Sequence, residues 1–495
     1  MSLARPPEEA RTAVRSTKVP ESVALFDGQI AWSAADLAAA VQQAARQLQA
    51  SGARVLATLL DNGPAFVVLD EAARAAGVVH VPLPLFFTPA QMQHALQVAG
   101  VDTVLTSGEG AARMAGLPWA PVEVAGQGLM QLRLPATPVA LPPGTVKITF
   151  TSGTTGTPKG VCLSGAALDA VASGLVQALA PLGLRRHLSV LPYAVLLENI
   201  AGLMAPRAQG SAVVALPLAQ LGLTGSSAFD VAVFHRAVLQ QQPDSLILLP
   251  QMLRAWVGLL QHTGQRAPAS LKLVAVGGAA VGAPLVLAAQ ALGIPVAEGY
   301  GLSEGASVQT LNLPQAQRPG SAGRLLPHAQ LRVAEDGELL IAGSLFSGYL
   351  GDTTPVPAWW PTGDLGHIDA DGFVHLQGRK KNLLITGFGR NVSPEWVETA
   401  LRCQPAVLQA VVFGEAQPAL SAVLWPVRPD TDDAALQAAV DAANSTLPDY
   451  ARIQRWVRGR AAFDASSGLA TANGRPQRPA IWQAHADALD LLTTL

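Results

Sequence analysis

The chain has 495 residues, of which 49% are hydrophobic and only 14% charged, and its formal net charge is −2. A chain of this length and apolar content buries a large core, which excludes a disordered protein. The balanced charge and the lack of a basic run argue against nucleic-acid binding through phosphate neutralisation.

Cysteine content and hydropathy indicate the compartment. The two cysteines, Cys162 and Cys403, are too few for a disulfide framework or a metal cluster. Residues 1–22 are polar and carry both signs of charge, unlike a signal peptide. The uncharged stretch 273–297 is interrupted by glycines and prolines, which predicts a strand, a glycine loop, a helix and a strand rather than a membrane span. We therefore expect a cytoplasmic protein with no transmembrane segment.

From residue 30 onward helices and strands alternate. Ser33 is a predicted N-cap for a helix that ends near residue 50, and a buried strand follows at 55–60. A helix at 64–76 and a strand at 78–83 come next, and the alternation resumes over 145–301. Continuously apolar strands separated by helices predict parallel sheets covered on both faces.

The pattern changes after residue 319. Turn residues at 335–337 and 371–372 predict two hairpins of a small antiparallel β unit, which we expect to form a barrel. A break falls at 378–381, after which Ser393 and Pro394 begin a helix. We predict an α/β fold: an N-terminal domain, residues 1–381, of stacked α/β sheets plus a small β-barrel, and a small α+β C-terminal domain, residues 382–495.

A glycine- and hydroxyl-rich loop carries the clearest chemical signal. It runs from Thr151 to Gly160 after a buried strand, and its glycines let several backbone N–H groups point at one centre. Lys159 adds positive charge in a chain with 27 arginines and six lysines. The other loop residues suited to a polyphosphate are Thr151, Ser152, Gly153, Thr154, Thr155 and Gly156. A Walker A loop is excluded because Lys159 is followed by glycine and a strand rather than by a helix.

The loop resembles the phosphate loop of the adenylate-forming superfamily, which includes acyl-CoA synthetases, luciferases and peptide-synthetase adenylation domains. Further similar motifs follow in the family's order over essentially the whole chain. They are Gly277-Gly278-Ala279, the stretch from Glu298 to Glu304 (EGYGLSE), Thr362-Gly363-Asp364 and Gly378-Arg379-Lys380-Lys381.

The resemblance implies ATP, Mg²⁺ and coenzyme A, or the phosphopantetheine of a carrier protein in its place. Tyr300 would stack on adenine, Asp364 and Arg379 would hold the ribose, and Thr151 and Glu304 would reach Mg²⁺. Lys159, Glu304 and Arg475 are the implied catalytic residues, and Lys380 and Lys381 the hinge on which the C-terminal domain rotates. The remaining implied nucleotide contacts are Gly278, Ala279, Glu298, Gly299, Gly301 and Ser303.

Two departures from the family concern the acid and the catalytic cation. Residues 191–199 and 378–398 are most similar to long-chain fatty acyl-CoA synthetases, which implies a medium- or long-chain fatty acid, with an aryl acid or a carrier-protein ligase as alternatives. Fatty-acid ligases carry a histidine where this chain has Val195. Arg475 stands where the family has its catalytic lysine, and no lysine follows Lys381. Arginine keeps the charge but not the compact geometry, so we expect Arg475 to serve in its place.

Two other classes of function stay open on the sequence. Gly301-Leu-Ser303-Glu-Gly305 fits the nucleophile elbow of a hydrolase, with Asp364 or Asp369 and then His375 in the required order. A catalytically impaired nucleotide-binding homologue is the other, motivated by Arg475 and Val195. Other histidines show no metal-ligand spacing and are predicted to be isolated surface or capping residues; they include His187, His235, His328 and His367.

Overall fold

The computed structural model describes residues 23–493 apart from 115, 136, 152–157, 226–227, 389 and 472–473. The α-helices of this part of the chain are α1 (Ala34–Ala50), α2 (Pro64–Ala76), α3 (Pro89–Val98), α4 (Gly108–Ala112), α5 (Gly165–Leu179), α6 (Ala205–Gln209), α7 (Val231–Gln241), α8 (Pro250–Thr263), α9 (Ala283–Ala291), α10 (Pro394–Arg402), α11 (Asp433–Asn444) and α12 (Arg478–Thr493). A π-helix spans Glu198–Met204. Short 3₁₀ helices span Ala180–Leu182, Leu218–Leu221, Ser303–Gly305, Lys380–Asn382 and Asp449–Ala451.

The strands, in chain order, are β1 (Val23–Phe26), β2 (Ala31–Ser33), β3 (Val55–Leu59), β4 (Val79–Pro82), β5 (Thr103–Thr106), β6 (Ala120–Val124), β7 (Gln127–Arg133), β8 (Thr145–Thr151), β9 (Lys159–Ser164), β10 (Arg186–Leu188), β11 (Ala212–Val214), β12 (Leu223–Thr224), β13 (Ala228–Phe229), β14 (Ser245–Leu248), β15 (Leu273–Val276), β16 (Val296–Leu302), β17 (Ser307–Leu311), β18 (Arg324–Leu325), β19 (Gln330–Val333), β20 (Glu338–Ala342), β21 (Gly348–Tyr349), β22 (Trp360–Ile368), β23 (Val374–Arg379), β24 (Leu384–Ile385), β25 (Asn391–Val392), β26 (Val407–Phe413), β27 (Leu420–Pro426) and β28 (Ile453–Arg458).

Two large sheets form the N-terminal domain. One has nine strands in the order β18-β17-β16-β15-β14-β10-β11-β1-β2, and the other has eight in the order β21-β9-β8-β4-β3-β5-β7-β6. The central pairs of both sheets are parallel, for example β14 with β15 and β3 with β4, while the strands toward the edges pair antiparallel. Crossover helices cover these parallel strands, so the predicted doubly covered sheets are confirmed.

Helices α1 and α2 show how the sequence specifies where its elements begin and end. Ser33 caps α1 by accepting the backbone N–H of Asp36, whose carboxylate accepts the Ser33 N–H in return. This capping box satisfies donors that an isolated helix end leaves unpaired. Helix α2 begins at Pro64 and ends where Gly77 takes a left-handed conformation. Its apolar face packs with α1 and β3 in a core that includes Phe66.

The small β unit is an antiparallel sheet of four strands in the order β19-β20-β22-β23. Its two predicted hairpins are present, at β19–β20 and β22–β23. In the strands described here the sheet is open rather than closed into the predicted barrel, because β19 and β23 form its two edges.

The C-terminal domain is the predicted α+β unit. Its sheet β26-β27-β28 carries helices on both faces: α10 and α11 pack against one side, and α12 against the other. Alternate residues of β26 separate the two cores, with Val412 in one and Val411 in the other, as the twofold period of a strand requires. Arg254 of α8 donates a hydrogen bond to the Val407 carbonyl (3.1 Å), which joins this domain to the nine-stranded sheet.

One helix of the described chain, Gly165–Leu182, is long and apolar enough to span a membrane by length and composition alone. Its apolar side chains, including Leu168 and Val171, pack in a core of the N-terminal domain, and Asp169 and Gln177 lie on its exposed side. The stretch 273–297 has the predicted order of strand, glycine loop, helix and strand. Cytoplasmic placement stays a prediction.

Candidate active site

The phosphate loop begins and ends on two paired strands. Thr151, the last residue of β8, is the cross-strand partner of Lys159, the first residue of β9. The loop residues Ser152, Gly153, Thr154, Thr155 and Gly156, which we predict to bind phosphate, lie outside the described residues. Lys159 is exposed at the mouth of this hairpin, with its ammonium 5.5 Å from the centre of the Tyr349 ring.

Glu304 lies beside that ring. It belongs to the 3₁₀ turn Ser303–Gly305, which connects β16 to β17, and its Oε1 accepts a hydrogen bond from the Tyr349 hydroxyl (2.7 Å). Tyr349 packs edge-on against Phe346 and Trp360, so its position is fixed by the core. Tyr349 therefore contacts both site residues: Glu304 accepts from its hydroxyl, and the Lys159 ammonium lies over its ring.

Tyr300, Asp364 and Arg379 form a connected chain. The Tyr300 hydroxyl donates to Asp364 Oδ2 (2.7 Å), and Arg379 Nε pairs with Asp364 Oδ1 (2.7 Å). Arg379 also donates to the Thr362 carbonyl (3.1 Å). Burial raises the pKa of Asp364 even though Arg379 and Tyr300 act to lower it. These residues come from β16, β22 and β23, so the three motifs predicted to hold the nucleoside do meet.

A side-chain-free edge lies next to Tyr300. Gly278 follows β15 with φ +86°, a conformation that favours glycine, and both Gly278 and Ala279 are exposed. Glycines in β16 let the next strand approach: a Cβ on Gly299 would lie 2.9 Å from the Thr310 carbonyl oxygen, and one on Gly301 2.1 Å from that of Ser307. The Gly299 and Gly301 positions therefore face β17, and the exposed backbone of Gly278 and Ala279 is the part of this edge that is open to a flat ring.

Glu298 does not face the cleft with the other residues of its motif. It is buried, and its Oε1 accepts the Val281 backbone N–H (2.9 Å), which follows the Gly278 loop. Among the described residues its Oε2 has no hydrogen-bond partner, and burial raises the pKa of this carboxyl to about 7. Glu298 therefore supports the loop after β15, and its contact with a nucleotide stays a prediction.

Arg475 of the C-terminal domain reaches this same cleft. Its backbone N–H donates to Thr471 Oγ1 (3.2 Å), which closes a turn through Gly474. The residue as a whole is exposed. Desolvation nevertheless lowers the pKa of its guanidinium, Arg379 lowers it further, and Asp364 and Glu304 raise it. Arg475 thus lies within electrostatic range of both carboxylates of the N-terminal site.

The two lysines of the predicted hinge differ in their partners. The Lys380 ammonium bonds Asp336 (2.6 Å) and Glu338 (2.8 Å) of the small β sheet. Desolvation, Arg379 and Arg475 lower the pKa of Lys381, while Glu395 and Asp364 raise it. Lys380 therefore ties the predicted hinge to the small β sheet, and Lys381 lies within electrostatic range of Asp364 and Arg475.

The hydrolase alternative is not supported by the geometry. Ser303 begins the three-residue 3₁₀ turn Ser303–Gly305, which leads into strand β17, whereas a nucleophile elbow leads into a helix. His375 Nε2 bonds Asp369 Oδ2 (2.9 Å) on the β22–β23 hairpin. Among the described side chains no hydrogen bond joins Ser303 to a histidine, so the triad is not assembled.

The charge of the site suits a magnesium nucleotide. Arg379, Lys381 and Arg475 lie within electrostatic range of Asp364, and Lys159 lies over the ring of Tyr349, which binds Glu304, so positive charge is available for phosphate. Within the described residues no group of three or more His, Cys, Asp or Glu could hold a metal by itself. Mg²⁺ in phosphate-transfer sites is usually bound by one or two carboxylates together with substrate phosphates, and the single carboxylate of Glu304 suits that arrangement.

Tyr349 is the site residue that the sequence analysis missed. It bonds Glu304 and lies under Lys159, yet it belongs to none of the motifs. The chain contains four tyrosines, and that scarcity is the one sequence signal that could have directed attention to it.

Two family models match successive segments of this chain. Residues 12–350 match the AMP-binding enzyme family, and residues 381–493 match the AMP-binding enzyme C-terminal domain. The chain belongs to the AMP-binding enzyme family. The predicted membership of the adenylate-forming superfamily is thereby confirmed.

Similar sequences differ in the acid they are named for. A segment of 154 residues, 30% of this chain, is 41% identical to long-chain-fatty-acid–CoA ligase FadD15 of Mycobacterium bovis, and it spans 26% of that ligase. The 2-succinylbenzoate–CoA ligase of a Geobacillus species is 28% identical over 81% of this chain and 82% of its own. The feruloyl-CoA synthase of an Amycolatopsis species is 29% identical over 82% of this chain and 84% of its own.

Solved structures confirm the fold. The Bacillus subtilis O-succinylbenzoate coenzyme A synthetase, in complex with ATP and magnesium ion, aligns with a TM-score of 0.72 at 23% identity over 93% of this chain and 97% of its own. The anthranilate CoA ligase AuaEII, in complex with anthranoyl-AMP, aligns with a TM-score of 0.78 at 19% identity over 94% and 95%. A large α/β N-terminal domain followed by a small C-terminal domain is therefore the architecture of this chain.

Proposed function

We propose that the protein is an AMP-forming acid–thiol ligase, which activates a carboxylic acid with ATP and passes the acyl group to coenzyme A. The observation that carries this proposal is the position of Arg475, a C-terminal residue within electrostatic range of Glu304, Asp364 and Arg379 of the N-terminal domain. A site completed by a cation from a second domain suits a reaction in which charge develops on phosphate oxygens.

In the first half-reaction a carboxylate oxygen attacks the α-phosphorus of ATP. A P–O bond forms, the bond to the bridging oxygen of the β-phosphate breaks, and pyrophosphate leaves. Arg475 would neutralise charge between the carboxylate and the α-phosphate, while Lys159 and the loop from Thr151 would hold the departing phosphates. Bound Mg²⁺, held by Glu304 and Thr151 with the phosphates, would supply Lewis-acid stabilisation of the same charge.

In the second half-reaction the thiol sulfur attacks the acyl carbonyl carbon. A C–S bond forms, the C–O bond to AMP breaks, AMP leaves with its phosphate, and the thiol proton passes to solvent. Asp364, Arg379 and Tyr300 would hold the nucleoside through both steps, with Gly278, Ala279, Gly299, Gly301 and Ser303 along its edge. We place the domain boundary after residue 381 and the pivot at Lys380 and Lys381.

For the acid we propose a medium- or long-chain fatty acid. Support comes from the similarity of residues 191–199 and 378–398 to long-chain ligases and from the 41% identity of one segment to FadD15. An aryl acid is the second candidate, because the relatives aligned over 81% and 82% of this chain are named for succinylbenzoate and ferulate. A carrier-protein phosphopantetheine in place of coenzyme A stays a prediction.

The test is acid-dependent ATP–pyrophosphate exchange with a panel of fatty and aryl acids, followed by release of AMP on addition of coenzyme A. The proposal predicts exchange with one class of acid and formation of its thioester. Exchange without thioester formation would exclude coenzyme A as the acceptor. ATP binding without exchange for any acid would contradict the proposal and favour the catalytically impaired homologue.

A further inference from the structure

A buried polar bridge joins the two large sheets at the start of the π-helix Glu198–Met204. Its first two residues, Glu198 and Asn199, are 0% and 1% exposed, although both side chains are polar. Consecutive residues of this helix reach opposite sheets. π-Helical turns are rare and are often found at functional sites, so the contacts of these two side chains indicate what the turn is for.

Glu198 is bound to the nine-stranded sheet. Its Oε1 is hydrogen-bonded to His187 Nε2 (3.2 Å) of β10, and His187 Nδ1 bonds the Ser245 hydroxyl (3.0 Å) of β14. The other carboxyl oxygen accepts the Leu191 backbone N–H (3.2 Å). His187, predicted to be a surface or capping residue, is 3% exposed and therefore belongs to the interior.

Asn199 is bound to the eight-stranded sheet. Its side-chain oxygen accepts a hydrogen bond from the Lys147 ammonium of β8, and its amide donates to Asp70 Oδ2 (3.4 Å) of α2. Lys147 also pairs with Asp70 Oδ1 (2.8 Å), and the same oxygen bonds His80 Nδ1 (2.7 Å) of β4. Burial raises the pKa of Asp70, but Lys147 and His80 outweigh it and hold that pKa well below its ordinary value.

Both ends of the bridge lead directly to the reaction site. Lys147 lies on β8, the strand that ends at Thr151 and delivers the phosphate loop. On the other side, Leu197 immediately precedes Glu198, and its Cδ2 would lie 3.5 Å from a Cβ added to Gly277, so it lies close to the base of the Gly278 loop. Residues 191–197, which include the departure at Val195, are thus joined through Asn199 to the strand that delivers the phosphate loop.

We propose that Asn199, with Lys147 and Asp70, is a positioning residue that holds segment 191–197, which we infer contacts the acid, at the correct distance from the phosphate loop. This inference rests on the proposed function, because the distance matters only if a carboxylate must meet the α-phosphate. A bound geometry displaced by about 1 Å can cost about 100-fold in rate. The bridge touches neither substrate in this account and acts through the backbone of two segments.

The decisive variant is Asn199→Ala, which removes the hydrogen bonds from the π-helix to Lys147 and Asp70 and leaves the Lys147–Asp70 pair and the Asn62 contacts with Leu191 and Tyr193 in place. We expect kcat/KM for the acid in pyrophosphate exchange to fall about 10- to 100-fold, with the equilibrium dissociation constant of ATP unchanged. Thr58→Val is the matched control: Thr58 is also fully buried and bonds His80 Nε2 (2.8 Å) at the far end of the network, away from the π-helix. It should lower the melting temperature without changing the KM for the acid.

Asn199→Ser keeps a hydroxyl for Lys147 and replaces Asn199→Ala if that variant does not fold. Wild-type kinetics in the folded Asn199 variant, or equal kinetic losses in it and Thr58→Val, would overturn the inference. Failure of the proposed function is a separate outcome, since it would be seen as a lack of exchange in the wild-type protein with every acid.

Discussion

The nucleotide cleft and the bridge between the sheets use the same kinds of side chain in opposite ways. In the cleft, the exposed cations Arg475 and Lys381 lie within electrostatic range of the buried Asp364 and leave positive charge for a ligand. In the bridge, Asp70, Lys147 and Asn199 are buried and satisfy one another. An excess of charge of one sign is typical of a ligand-binding site, whereas a buried network of paired charges is typical of a structural role.

The largest expected effect is on ATP affinity and comes from a substitution in the nucleotide cleft. Asp364→Ala leaves Arg379 without its carboxylate and removes the acceptor of the Tyr300 hydroxyl. Asp364 is proposed to hold the ribose, and truncating one partner of a buried, hydrogen-bonded charged contact across an interface costs about 2–5 kcal/mol, so ATP should bind correspondingly more weakly in equilibrium titration.

Asp369→Ala is the matched control. Asp369 bonds His375 and Arg318 on the same small sheet, outside the predicted nucleoside contacts. ATP affinity should stay at the wild-type value. Equal losses in the two variants would show that Asp364 acts through the stability of the sheet and not at the ligand.

The buried carboxyl of Glu298, which pairs with no cation among the described residues, should make the stability of the protein depend on pH. The pKa of Glu298 is about 7 in the folded protein, above its ordinary value of 4.5, because of burial. The folded state therefore holds its proton longer than the unfolded chain, and stability falls as pH rises from about 4.5 through 7. Glu298→Gln retains the acceptor for Val281 and cannot ionise, so its stability relative to wild type should grow by about 3 kcal/mol between pH 4 and pH 8.

Urea unfolding of both proteins at several pH values measures this difference. Curves whose midpoints move in parallel with pH would contradict the account, since they would mean that Glu298 finds a partner or ionises as in the unfolded chain.

The close packing of the bridge is tested by adding one methyl group. A Cβ on Gly202 would lie 2.2 Å from Glu198 Oε1 and 2.8 Å from His187 Nε2, both buried. Gly202→Ala should therefore lower the free energy of unfolding by about 1–3 kcal/mol. Gly258, exposed in α8, has nothing within 4 Å of such a Cβ, so Gly258→Ala should raise it by about 0.5–1 kcal/mol. Destabilisation of the same size by both changes would contradict the close approach.

The nucleotide cleft and the bridge between the sheets also differ in how far the sequence could predict them. Tyr300, Glu304 and Asp364 belong to short contiguous motifs, so their types and spacing could be interpreted before the fold was known. Asp70, Lys147 and Asn199 lie far apart in the chain and are unremarkable singly, and only the packing of two sheets brings them together. Lys147 is one of the six lysines but belongs to none of the motifs, and the prediction that His187 is a surface or capping residue was wrong.

The same reasoning applies to the fold. Helices with caps and strands with turn residues were predicted to within one or two residues, as for α1 and α2. Closure of the small sheet depends on which edges pair at long range, and the barrel prediction was wrong for that reason.

The central claim is that Arg475 completes an adenylate-forming site. Its most direct test is acid-dependent ATP–pyrophosphate exchange by wild type, Arg475→Lys and Arg475→Ala, with Arg460→Ala as the control because Arg460 forms an exposed ion pair with Asp487 in the same domain. We predict exchange in wild type and in Arg475→Lys, a loss of about 100-fold or more in Arg475→Ala, and no change in the control. Equal exchange by wild type and Arg475→Ala would contradict the claim.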